Sequence, residues 1–124
     1  MSDLPILVVE DEPDGQEVVS RLLAVMNIPL EVVDNGEDAW EALQTHAFKA
    51  AVIDLALPGM DGIELLRHIR RDPNLAALPC IAITAYHTPE LKQQAIAEGF
   101  DIYFAKPLNR TLFLGSLDNL LSDG

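Results

Sequence analysis

The sequence is most informative first for what it has little of. It has a single cysteine, Cys80, so no internal disulfide can form. Cys80 sits within the run Leu78-Pro-Cys-Ile-Ala-Ile-Thr84, which reads as a buried strand and makes it a small core residue. Basic residues are scarce: 8 Lys and Arg stand against 20 Asp and Glu, for a net charge of −12. That balance excludes direct binding to nucleic acid, which needs a basic footprint to displace counterions. It likewise excludes electrostatic attachment to an anionic membrane. Acidity of this kind serves solubility first. The N-terminus, Met1-Ser-Asp-Leu-Pro5, lacks the basic region followed by an apolar one that marks a signal peptide. The longest apolar runs fall far short of a membrane span. No internal repeat, low-complexity run or linker interrupts the chain. What is present is 124 residues, 49% of them hydrophobic, enough for one compact core spanning residues 1–124 and too few for a second domain. The expectation is a soluble cytoplasmic protein.

Short apolar runs alternate with segments of helical period. Pro5–Val9 is continuously apolar and β-branched, as a strand buried on both faces must be. Asp14 to Met26 follows as a helix with Val18, Leu22 and Val25 inward, Pro13 in its first turn, and Asp11 or Asp14 as cap. Leu30–Val33 is a shorter, less apolar strand, suited to an edge. A helix over Glu37–Thr45 turns Ala39, Trp40 and Leu43 inward. Ala50–Asp54 is the third strand. The turn Leu57-Pro-Gly-Met-Asp-Gly62 leads into a helix over Ile63–Arg71 that buries Ile63, Leu66 and Ile69. Cys80–Thr84 is the fourth strand. Pro89–Glu98 is a helix stopped by Gly99. Ile102–Ala105 is the fifth strand, and Asn109–Leu121 a last helix with Leu112, Phe113, Leu117 and Leu120 available for packing. Strict alternation with short connections forces parallel strands and right-handed crossovers, so helices cover both faces of an open sheet: a doubly wound α/β fold.

In such folds ligands bind beyond the carboxyl ends of the strands. Glu10, Asp11 and Glu12 follow strand one, Asp54 ends strand three, Thr84 ends strand four, and Lys106-Pro107 follows strand five. If strands one and three are neighbours, Glu10, Asp11 and Asp54 crowd together, and crowded carboxylates need neutralising. A hard divalent cation does this, and Mg²⁺ suits best because it takes oxygen ligands, uses few carboxylates and keeps positions open for water and phosphate. Asp54 can then act as a nucleophile toward a phosphoryl group, with Lys106 and the Thr84 hydroxyl pairing with its oxygens. A plainer role, turn or helix cap, fits Asp14, Asp38 and Asp61. It fits Asp54 poorly, because Leu-Ala-Leu-Pro follows it rather than a helix. His46, His68 and His87 lack partner spacing and read as surface residues, and Met26 and Met60 as packing.

Four segments together, Val8-Val-Glu-Asp-Glu-Pro13, Ile53-Asp-Leu-Ala-Leu-Pro-Gly-Met-Asp-Gly62, Thr84-Ala85 and Tyr103-Phe-Ala-Lys-Pro107, resemble the response-regulator receiver domains of two-component signalling. Each is weak alone; four in order, each closing the right strand, are specific, and the resemblance extends over essentially the whole chain. The resemblance implies a flavodoxin-like (βα)5 three-layer sandwich with strand order 2-1-3-4-5. It implies Asp54 as phosphoacceptor, with Asp11 a direct Mg²⁺ ligand, Glu10 a ligand through water, and the Ala56 backbone carbonyl a third protein ligand. It makes Thr84 and Lys106 the residues that sense phosphate and Tyr103 the switch aromatic, and gives a cis Lys106–Pro107 peptide. It also implies a phosphodonor, either a sensor histidine kinase or a histidine phosphotransfer protein, and a downstream protein partner or effector domain that reads the α4-β5-α5 surface. The chain would be a signalling phosphoacceptor, catalysing only its own phosphorylation and dephosphorylation.

Three departures from the pattern stand out. Glu10 replaces the commoner Asp. Tyr86 and Ala56 occupy the positions that flank the path of the hydrolytic water, which suggests slow self-dephosphorylation. The last helix, Asn109-Arg-Thr-Leu-Phe, lacks the acidic-then-leucine start of members that dimerise through this face, so a monomer or weak dimer is expected. Other functions fit less well. A binding module that had lost the switch would lack site residues, yet Asp11, Asp54, Thr84 and Lys106 are all present. A metal phosphatase needs a second acid where Ala56 stands. A flavin carrier needs a Ser/Thr/Gly-rich phosphate loop where Glu10, Asp11 and Glu12 stand.

Overall fold

The computed structural model describes residues 4–122; the expectations for the extreme N-terminus and for the tail at 123–124 lie outside them. Among the described residues, strands β1 (Ile6–Val9), β2 (Leu30–Val33), β3 (Ala50–Asp54), β4 (Cys80–Thr84) and β5 (Ile102–Ala105) alternate with helices α1 (Pro13–Val25), α2 (Gly36–Thr45), α3 (Gly62–Arg71), α4 (Pro89–Glu98) and α5 (Arg110–Ser122). All strand pairs are parallel and the order is β2-β1-β3-β4-β5, as expected. The three central strands are buried at every position, which is why their sequences are apolar up to the Asp54 and Thr84 that end β3 and β4. The less apolar β2 lies at one edge and β5 at the other.

Side-chain alternation along the strands sorts the core into two layers. Leu7, Val9, Ala51, Ile53, Cys80, Ala82 and Tyr103 face α2, α3 and α4. Ile6, Val8, Ala50, Val52, Ile81 and Ile83 face α1 and α5, where Phe113 packs on Phe104 at a ring-centroid distance of 5.3 Å. The rim away from the strand carboxyl ends is tied by Arg70, whose guanidinium donates to the carbonyls of Ala76, Leu78 and Gly99 and to Asp101. Asp101 in turn accepts the Cys80 amide at 2.8 Å.

Several local expectations are corrected. Helix α1 buries Val19, Leu22 and Leu23, while Val18 and Val25 are exposed. Apolar residues at 18, 19, 22, 23 and 25 form two overlapping stripes, and the sheet meets the one that includes Val19 and Leu23. Leu112 is 62% exposed, because α5 offers more apolar side chains than one sheet contact can cover. Neither Asp11 nor Asp14 caps α1; the cap position is Glu12, with no side-chain bond. Asp61 does cap α3, in a reciprocal capping box with Glu64. In α2 the cap is Asn35 rather than Asp38, which is instead bonded by the Asn35 side chain. Trp40 is half-buried and lies against the exposed His68, ring centroids 5.5 Å apart.

Candidate functional site

Strand parity builds the site. In β1 and β3, paired as Val9↔Ile53, the next residues are Glu10 and Asp54, and both continue the alternation toward the α1/α5 side. Lys106, two residues beyond Phe104, has the same parity on β5. The three meet although β4 lies between β3 and β5, because the long lysine stem spans that gap. The Lys106 ammonium donates to Glu10 Oε1 at 2.5 Å and to Asp54 Oδ2 at 2.8 Å. Asp54 Oδ1 accepts the Ala56 amide at 2.8 Å. Glu10 Oε2 accepts the Glu12 amide at 3.2 Å, and the Glu10 carbonyl accepts the Gln16 side-chain amide at 2.7 Å. Glu10 is 0% and Asp54 4% exposed, so two charges are held almost out of water.

Asp11, on the exposed rim, joins them: one carboxylate oxygen from each of Glu10, Asp11 and Asp54 lies within 4.8 Å of the others. Three acidic oxygen donors at that spacing, two of them buried, form the donor set a hard cation such as Mg²⁺ takes. The electrostatics show the crowding. Burial pushes the Glu10 carboxyl up; Lys106 pulls it down, and neighbouring Asp54 pushes it up again, for a net rise. Burial would lower the Lys106 ammonium, but its bonds to Asp54 and Glu10 outweigh that and hold it above 10.5.

Gly62 supports this arrangement from below. A Cβ there would meet the Asp54 carbonyl oxygen at 2.6 Å and Leu55 Cα at 2.8 Å, so only glycine lets α3 start so close to the end of β3. Thr84 is buried, has the opposite parity to Asp54, and accepts the Tyr86 amide on its hydroxyl at 3.0 Å. A cleft of about 260 Å³ brings Thr84, Ala56 and Tyr86 together with Asp61 and Arg67. Tyr86 is 72% exposed. Tyr103 is turned inward and 9% exposed, its hydroxyl 2.9 Å from His87 Nδ1. Burial raises its phenol above the ordinary value. The Lys106–Pro107 peptide is cis.

The histidines are exposed and take no part in the acidic cluster, but His87 is not merely solvated. No spacing in the sequence signals its bond to Tyr103, since that bond depends on how the β4–α4 loop folds back over β5. Gln16 and Gly15 escape a reading of the sequence as well. Both lie on the first turns of α1, beside Glu10, where helix-start residues attract no notice.

The family model for the response regulator receiver domain matches residues 6–118. An uncharacterized 14.6 kDa protein of Leptolyngbya boryana is 36% identical over 109 residues, covering 88% of this chain and 83% of that protein. Response regulator RppA of Synechocystis is 33% identical over 104 residues, covering 82% of this chain and 44% of its own length. The sensor histidine kinase GacS of Pseudomonas protegens is 33% identical over 107 residues, covering 84% of this chain and 12% of the kinase. This chain thus spans less than half of those two longer relatives. Among solved structures, the receiver domain of a sensor histidine kinase from Pseudomonas aeruginosa PAO1, which has a magnesium ion coordinated in its active site cleft, superposes with a TM-score of 0.87 at 28% identity, covering 96% of this chain and 98% of that one. The signal receiver domain of a histidine kinase from Syntrophus aciditrophicus gives a TM-score of 0.88 at 28% identity, covering 97% and 91%. Fold, site and relatives agree, and the chain belongs to the response regulator receiver domains of two-component signalling.

Proposed function

We propose that this receiver domain is a phosphoacceptor and that Asp54 is the residue modified. The observation that carries this reading is the buried Asp54 carboxylate, clustered with Glu10 and Asp11 within 4.8 Å and bonded to the Lys106 ammonium at 2.8 Å. An Asp54 oxygen attacks the phosphorus of a phosphohistidine on a sensor kinase or phosphotransfer protein. A P–O bond forms, the P–N bond breaks, and the imidazole nitrogen leaves with the electron pair. Asp11, Asp54, the Ala56 carbonyl and, through water, Glu10 would hold Mg²⁺, which would neutralise charge on the transferring group. Lys106 already lies against Asp54 and pairs with a phosphoryl oxygen; the Thr84 hydroxyl, now bonded to the Tyr86 amide, is the second group to respond.

The output follows from that rearrangement. A dianionic group on Asp54 biases an equilibrium between two shapes, and a near-complete swing needs roughly 5.5 kcal/mol of differential interaction. Thr84 and Tyr103 sit on the α2–α4 side of the sheet, so the readout falls on the α4-β5-α5 surface. There a downstream protein partner or effector domain binds. Tyr103 is already inward in this state, so the change at that surface lies in the β4–α4 loop more than in a swing of the ring.

The test is incubation with acetyl phosphate and Mg²⁺, followed by intact mass spectrometry. One phosphoryl group adds to the wild type and none to Asp54→Asn. Equal labelling of both proteins, or none of either, overturns the assignment. A phosphate-mimic pull-down, with Asp54→Asn as control, then identifies the partner.

A further inference from the structure

We propose that Gly15 is a positioning residue that admits a glutamate at position 10. The glutamate and the glycine form a matched pair that sets the carboxylate where the acidic cluster needs it. The inference rests on the phosphoacceptor reading only for its functional consequence; the steric pairing stands on the structure.

Gly15 lies in the first turns of α1, and its backbone shows no positive φ that would demand glycine. Glycine is also a poor helix former, so it has no local reason to be there. Its surroundings supply one. A Cβ at position 15 would overlap Glu10 Oε1 outright and stand 2.6 Å from its Cδ and 3.0 Å from its Cγ. The end of a flexible side chain would ordinarily move aside. Glu10 has nowhere to go: it is 0% exposed. Oε1 is held by Lys106 at 2.5 Å, Oε2 by the Glu12 amide at 3.2 Å, and the backbone by Gln16 at 2.7 Å. The carboxylate therefore rests on the bare face of Gly15.

An aspartate at position 10 would be shorter by one methylene, about 1.5 Å, and would draw its carboxylate away from position 15. The extra reach of Glu10 thus requires the absence of a side chain at that point of α1. With a Cβ present, Glu10 must rotate out of line with Asp54 and Asp11, giving up its bond to Lys106 and its place in the donor set.

The experiment is a double-mutant cycle of Gly15→Ala and Glu10→Asp, read in two ways. Thermal unfolding in EDTA reads the steric pair without metal. Gly15→Ala lowers the midpoint by at least about 4 °C in the wild-type background, and raises it by about 3 °C in the Glu10→Asp background, where only the gain in helix propensity remains. Calorimetric titration with MgCl₂ reads the consequence. Gly15→Ala weakens binding at least tenfold beside Glu10 and changes it less than threefold in the Glu10→Asp background. If Gly15→Ala alone fails to fold while the double variant folds, the pairing is supported; if both fail, it is overturned. Equal effects of Gly15→Ala in both backgrounds also overturn it. A wild type that binds no Mg²⁺ would sink the phosphoacceptor reading, and the EDTA midpoints would still decide the pair.

Discussion

Replacing Lys106 by Met removes one ammonium and keeps the apolar stem, and the structure sets the size of the loss. The ammonium serves two acceptors, Glu10 Oε1 and Asp54 Oδ2, whose side chains are 0% and 5% exposed, while its own is 20% exposed. Breaking a buried ion pair by deleting one partner costs about 3–5 kcal/mol. A second route limits the loss: one carboxylate can take a proton in place of the missing charge. For Glu10, starting from the ordinary 4.5, that costs about 1.36 kcal/mol for each pH unit, or about 3.4 kcal/mol at pH 7. The cheaper route governs, so Lys106→Met should lose about 3 kcal/mol at pH 7, or about 12 °C in midpoint for a domain of this size. At pH 5 the proton costs only about 0.7 kcal/mol, and the defect should shrink below about 1 kcal/mol.

The sign for the wild type is independent of that. A lysine whose folded pKa is raised loses its contribution only as pH climbs from its unfolded value, 10.5, through the folded one, so Lys106 stays charged at both test pH values and the shrinkage comes from the carboxylate's proton alone. The assay is urea unfolding in EDTA, followed through Trp40, the one tryptophan, which is half-buried on α2 against His68 of α3. A defect of equal size at pH 7 and pH 5, or no defect at pH 7, would refute the account of Lys106 as the charge that makes two buried carboxylates tolerable.

Three further outcomes are expected. Tyr86 is 72% exposed and so a loose shield over Thr84 and Ala56; Tyr86→Ala should speed loss of the phosphoryl group about threefold, under about 1 kcal/mol of barrier, and decay that is unchanged or slower rejects shielding. Tyr103→Phe deletes the 2.9 Å bond to His87, so it should cost about 1 kcal/mol in thermal unfolding and speed amide exchange at residues 86–88; unchanged exchange would show that the bond does not hold the β4–α4 loop. The Cys80 thiol is fully buried and pushed up to about 12, so in the folded protein it should resist alkylation at pH 8 and react at the rate of global unfolding.

How much is legible in the sequence varies with the kind of interaction. Unbroken apolar runs such as Ile6–Val9 and Ala50–Ile53 announce central strands, because only a strand covered on both faces tolerates them. The acidic and basic residues that follow those strands are equally plain, and parity along neighbouring strands carries Glu10, Asp54 and Lys106 to one side. What stays hidden depends on choices the pattern leaves open. Helix α1 has two overlapping apolar stripes, and nothing in its own sequence says which meets the sheet. Asp11 looks like a cap by position, yet its carboxylate belongs to the acidic cluster and α1 starts without a side-chain cap. The Glu10–Gly15 and His87–Tyr103 contacts depend on side-chain rotamers and loop paths that no spacing encodes.

Strand parity also bears on how a change at Asp54 would travel. Glu10, Asp54 and Lys106 lie on the α1/α5 side, whereas Thr84 and Tyr103 lie on the α2–α4 side, where Tyr103 is registered against Ala82. A phosphoryl group on Asp54 therefore acts first on one face of the sheet, and the residues expected to report it are on the other. The two faces are joined through short bonds at the strand ends. The Lys106 amide donates to the Thr84 carbonyl at 2.8 Å, and the Thr84 hydroxyl accepts the Tyr86 amide at 3.0 Å, at the root of the loop that carries His87 to Tyr103. Any movement of Lys106 from its carboxylates toward a phosphate pulls on the strand end that positions Thr84. Any turn of the Thr84 hydroxyl toward the same phosphate releases the Tyr86 amide. Both displacements converge on residues 84–87, so that loop should show the largest amide shifts when a phosphate mimic binds. Shifts confined to the α1 and α5 faces would mean that the two sides of the sheet are not coupled through it.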